Sequence, residues 1–87
     1  MVKAKVTIKN PTGLHVRPAG VFSQVAMECK SKITFSYGNK SGNAKSLLSV
    51  IGAAIKMGDE IELVCEGEDE QEAMAKMIRI IEDGLEE

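Results

Sequence analysis

Tryptophan is absent, and only Phe22, Phe35 and Tyr37 carry aromatic rings, so the chain offers no stacking platform for nucleic-acid bases. A basic excess is missing too. The 11 Lys and Arg residues stand against 13 Asp and Glu, a formal net charge of −2, which argues against a nucleic-acid partner. The longest uncharged stretches, Pro18 to Met27 and Ser46 to Ile55, fall far short of the roughly 20 residues a membrane-spanning helix needs. No membrane insertion is expected. The first residues alternate rather than form an apolar block, unlike a secretory signal, and the expected location is cytoplasmic. Cys29 and Cys65 sit on apolar faces without CxxC spacing, which reads as buried free thiols. One histidine cannot build a multi-histidine metal site, and neither a metal nor a cofactor is expected. No GxSxG, Walker loop or GxGxxG is present.

What remains is an 87-residue chain, enough for a single domain over 1–87 with a small core. Val2, Ala4, Val6 and Ile8 alternate with polar residues, the mark of a strand with one buried face. Asn10-Pro11-Thr12-Gly13 ends it in a turn. Phe22, Val25, Ala26 and Cys29 then recur at helical spacing. Pro18 fits that helix only within its first turn, so the helix begins within a residue or two of His15. Ile33, Phe35 and Tyr37 alternate as a second strand, and Gly38-Asn39 forms a hairpin turn into a short third strand near Lys40 to Ala44. A very apolar helix opens at Ser46 and runs from Leu47 to Ile55; Ile61, Leu63 and Cys65 mark the fourth strand.

In the last helix, Asp69 with Glu72 resembles a capping box. Met74, Met77, Ile78, Ile81 and Leu85 form the helix's apolar stripe, and Gly84 ends it. The order βαββαβα implies an α+β, open-faced β-sandwich: a four-stranded antiparallel sheet with three helices on one face. A ferredoxin-like arrangement is a close relative of that architecture.

The chemistry is concentrated in Gly13-Leu14-His15-Val16-Arg17-Pro18-Ala19-Gly20. Imidazole has an ordinary pKa of about 6.5, so a neutral nucleophilic nitrogen is available near pH 7. Arg17 carries the planar fork suited to phosphate oxygens. The start of the following helix supplies unbonded N–H groups and the positive end of its dipole. On the residues alone, an inert solvated cap remains the alternative for His15.

The segment GLHVRPAG resembles the active-site signature of the HPr family, the histidine-containing phosphocarriers of the sugar phosphotransferase system. The likeness spans essentially the whole chain, including its length, element order and the Lys45-Ser46-Leu47 segment that opens the short helix. The resemblance implies a stoichiometric carrier, a substrate of other enzymes with no independent catalysis. His15 would accept a phosphoryl group at Nδ1 from enzyme I, itself charged from phosphoenolpyruvate, and donate it to enzyme IIA domains. Arg17 would stabilise the phosphate, and the chain would act as a monomer.

Ser46 has a local reading as helix N-cap. The resemblance adds a regulatory one, phosphorylation by HPr kinase/phosphorylase and reading of the product by a catabolite-control transcription factor. Val16, Gly20, Leu47, Leu48 and Ile51 are the candidate docking residues, with Leu48 and Ile51 expected outside the core beside His15. Val16 and Gly20 stand where many relatives have other small residues. Gln24, Met27 and Ser49 replace lysines of some enteric members, which leans toward the Gram-positive type.

The other readings are a regulatory binding module, a paralogous carrier of a nitrogen or dihydroxyacetone system, and an acylphosphatase-like enzyme. Relatives acting purely as modules replace the histidine, so His15 disfavours that one. An acylphosphatase would leave no stable phosphohistidine.

Overall fold

Every predicted strand pairs, but the neighbours are set by tertiary packing. The computed structural model describes residues 1–85. Among them the order is β1 (Val2–Thr7), α1 (Val16–Met27), β2 (Lys32–Tyr37), β3 (Lys40–Asn43), α2 (Leu47–Gly52), β4 (Glu60–Glu66) and α3 (Glu70–Glu82). The strands form one antiparallel sheet in the order β1-β4-β2-β3, so β4, the last in sequence, sits between β1 and β2. Its register stacks Ala4, Leu63 and Phe35 in one row and Val2, Cys65 and Ile33 in the next. These rows face the helices. Lys3, Lys5, Lys32, Glu60 and Glu66 look the other way into solvent, so the sandwich has one open face.

α1 packs on α2 and α3, while α3 lies across β1 and β4. α1 buries Pro18, Ala19, Phe22, Ser23 and Ala26; α3 buries Ala73, Met74, Met77 and Ile81. The methionine stripe is therefore core. Phe22 meets Phe35 edge-on, with ring centroids 6.2 Å apart, and joins the helix layer to the sheet. Burial of each ring stabilises by about 1.5–3 kcal/mol. Cys29 and Cys65 are buried free thiols, and burial pushes Cys65 up to about 11. Among the described residues no helix is long and apolar enough to cross a membrane.

Two local expectations are corrected. α2 ends at Gly52, not Ile55, because Ala54 turns left-handed (φ 54°). That turn swings Ile55 into the core, and the Lys40 ammonium binds the Ala53 carbonyl at 3.2 Å. The Asp69–Glu72 capping box does not form, since Asp69 makes no side-chain cap bond. Its carboxylate instead accepts the Lys30 and Ser31 amides at 2.9 and 2.8 Å, and the Ser31 hydroxyl, so tertiary donors outcompete local ones. Glu70 takes the local role, accepting the Gly67 amide at 3.1 Å and pairing with the Met1 ammonium at 2.8 Å.

Candidate functional site

The chain leaves β1 and turns at Asn10–Gly13, closed by a Gly13 N–H bond to the Asn10 carbonyl at 3.0 Å. Gly13 has φ 65°, a left-handed conformation in which a side chain is strained. Space demands glycine as well: a Cβ there would lie 2.5 Å from the Ile55 carbonyl oxygen and 2.7 Å from the Lys56 Cα. Leu14 then plunges into the core, and its N–H donates to the Ile55 carbonyl at 2.9 Å. Alternation along the extended chain turns the next side chain outward. His15 is exposed.

His15 is the N-cap residue of α1 in extended conformation (φ −77°, ψ −177°), and its carbonyl accepts the Ala19 N–H at 2.7 Å. Its side chain makes no capping bond, so the ring is not committed to the helix. Val16 and Arg17 follow at the first two helical positions, where backbone N–H groups have no carbonyl one turn back. Pro18 at the third has no N–H to satisfy, as its place in the first turn requires. The first turn holds no acidic residue, so α1 places no carboxylate of its own at the positive end of this 12-residue helix. Arg17 is exposed beside it. An exposed imidazole, a guanidinium and a helix start thus share one short stretch suited to a dianionic group.

Ser46 is the N-cap of α2, and its Oγ accepts the Ser49 N–H at 3.3 Å. The local reading holds. Val16 is 56% exposed, Leu47 40% and Leu48 83%, so the paired helices α1 and α2 present an apolar surface. Ile51 departs from expectation: it is half-buried and packs against the core, because its helix position faces inward with Val50. Gly20 is half-buried with open space where its Cβ would stand. Sequence reasoning missed Asn10, whose buried side chain donates to the Gly13 carbonyl. The Asn-Pro pair flags a turn, but no local pattern reveals what that side chain holds. Among the described residues no cluster of His, Cys, Asp and Glu is arranged to hold a metal ion.

A family model described as the PTS HPr component phosphorylation site matches residues 2–83. The chain is 44% identical over 82 residues to the HPr-like protein Crh of Halalkalibacterium halodurans, covering 94% of this chain and 98% of that protein. It is 39% identical over 82 residues to the phosphocarrier protein HPr of Borreliella burgdorferi, covering 94% and 95%. The crystal structure of HPr-C-His from Thermoanaerobacter tengcongensis superposes with a TM-score of 0.95 at 39% identity, covering 100% of this chain and 99% of that one. Fold, motif-bearing segment and sequence agree along the chain, which belongs to the HPr family of phosphotransferase-system phosphocarriers.

Proposed function

We propose that His15 accepts a phosphoryl group from phosphorylated enzyme I and passes it to enzyme IIA domains. One observation carries this reading: His15 stands exposed and uncommitted at the start of α1, with Arg17 in a first turn free of acids. A neutral ring nitrogen forms its bond to phosphorus as the bond to the donor breaks. Phosphoryl transfer asks chiefly for position and for neutralised oxygens, and Arg17 with the helix-start amides supplies both. The openness of the site suits a carrier, since a closed pocket would hold the group too tightly to surrender it.

On this reading the protein is a cytoplasmic monomer and a substrate of its partners. Val16, Leu47 and Leu48 form the docking surface, Ile51 supports it from beneath, and Gly20 lets a partner backbone approach. Phosphorylation of Ser46 by HPr kinase/phosphorylase would add roughly −1.5 to −2 charge beside this apolar surface. Docking of enzyme I weakens, while an anionic epitope arises for a catabolite-control transcription factor. The similarity to a Crh-type protein favours, as a second reading, a regulatory paralogue acting mainly through Ser46.

One assay separates the two. Incubation with enzyme I and phosphoenolpyruvate, followed by intact mass, gives one acid-labile phosphate on the wild type and none on His15→Ala. An unmodified wild type removes the carrier reading. A transfer rate unchanged in Ser46→Asp removes the proposed weakening of enzyme I docking by phosphorylated Ser46.

A further inference from the structure

The peptide unit between Gly13 and Leu14 is held at both ends by different parts of the fold. Its N–H, on Leu14, donates to the Ile55 carbonyl just beyond α2. Its oxygen, on Gly13, accepts from Asn10 Nδ2, which opens the turn after β1. A carbonyl oxygen can only accept, so this contact fixes which way the Asn10 amide faces. The amide's other atom, Oδ1, is buried without a hydrogen-bond partner among the described residues.

That orphan oxygen decides what the residue is for. Asn10 is only 6% exposed, and an unsatisfied buried acceptor is destabilising. An apolar side chain of the same shape would remove that orphan acceptor, at the cost of leaving the Gly13 oxygen without its donor. What asparagine alone supplies here is a donor for the Gly13 oxygen. Without it, the 13–14 peptide keeps only its Ile55 anchor and can rotate about the left-handed glycine. His15 is the next residue, so rotation there re-aims the imidazole before the helix begins.

We propose that Asn10 is a positioning residue for His15: by pinning the Gly13–Leu14 peptide against the Ile55 carbonyl, it fixes the direction in which the ring faces an incoming phosphoryl donor. The proposal rests on the carrier reading for its effect on transfer. A small misplacement of a nucleophile has large kinetic consequences, because the reaction depends on alignment with the bond that breaks.

The test uses Asn10→Leu, which keeps the side-chain shape and removes the donor, and Asn10→Asp, assayed at a pH where its carboxyl is ionised and only accepts. Thr12→Val is the control, since Asn10 Nδ2 also lies 3.3 Å from the Thr12 hydroxyl. In both donor-free variants, hydrogen exchange at the Leu14 amide accelerates about tenfold relative to amides of β4, and 13C relaxation reports a less ordered His15 ring. The maximal transfer rate from phosphorylated enzyme I falls about tenfold while KM stays within twofold, because the docking side chains are untouched. Thr12→Val matches the wild type. Transfer within twofold of wild type in the folded variants, or a loss confined to KM, overturns the proposal. Failure of both variants to fold also overturns it, because the role would then be structural. If the wild type accepts no phosphoryl group, the carrier reading has failed. Leu14 exchange and His15 ring order then decide the positioning by themselves, and unchanged values refute it.

Discussion

Alanine in place of Gly13 and alanine in place of Gly20 should move stability in opposite directions. At Gly13 the left-handed backbone (φ 65°) costs an alanine about 1–2 kcal/mol. Its methyl would also sit 2.5 Å from the Ile55 carbonyl oxygen and 2.7 Å from the Lys56 Cα. Both are backbone atoms and cannot swing aside, so relief means shifting a packed segment, an overpacking cost of about 1–3 kcal/mol. The sum is about 2–5 kcal/mol, a large share of the roughly 5–15 kcal/mol that holds a domain folded. Gly20 is the converse case. It lies inside α1, and no heavy atom stands within 4 Å of the position its Cβ would take. Alanine there stabilises the helix by about 0.5–1 kcal/mol. Since 1 kcal/mol corresponds to roughly 4–8 °C at this size, the two thermal midpoints should lie more than about 10 °C apart. Circular dichroism melts, with urea midpoints read at constant m-value, measure the difference. A Gly13→Ala protein as stable as the wild type would refute the packing of the His15 turn on residues 55–56. A loss of stability in Gly20→Ala would show that the outer side of α1 is not open there.

Three further outcomes follow from the same structure. Ala54 is exposed with φ 54°, so Ala54→Gly should raise stability by about 0.5–1 kcal/mol, read as a higher urea midpoint. The Ser31 hydroxyl and then the Lys30 amide hold the Asp69 carboxyl below its ordinary value. A depressed folded-state pKa gives stability that is complete above the unfolded carboxylate range and lost as pH falls through the folded value. Asp69→Asn should therefore flatten the acid limb of the stability–pH curve below about pH 4. Burial raises Cys65 to about 11, with its thiol staying protonated while the unfolded chain ionises, so stability is full below pH 9 and declines as pH climbs toward 11. The matching measurement is alkylation at pH 8, which should be slow until urea unfolds the protein.

Periodicity placed the elements because each pattern has one cause. Alternation buries one strand face, and three-and-four spacing buries one helix face, whatever the partner. Pro18 fixed the start of α1 by the same kind of local exclusion, and with it the placement of His15 at a helix N-terminus. The errors fell where local signals competed with distant ones. Asp69 had a capping partner within one turn, yet Lys30 and Ser31 offered better-placed donors. Ile55 continued the apolar run of α2, yet the core took it after Ala54 reversed the chain. Ile51 looked suited to a docking surface, but packing turned it half inward.

By itself, the sequence singled out the candidate residues for the chemistry: one histidine, an arginine two residues on, a proline that sets the helix start, and a serine able to cap the next helix. These are short-range facts, carried by residue identity and spacing. Only the tertiary structure decided that β4 lies between β1 and β2, that Leu14 goes in so His15 must come out, and that Asn10 and Ile55 grip one peptide from opposite sides. The β1–β4 pairing and the Leu14–Ile55 bond join segments far apart in the chain, and no local pattern encodes them. They arise when the apolar faces, each indifferent to its partner, find the one packing that buries them all.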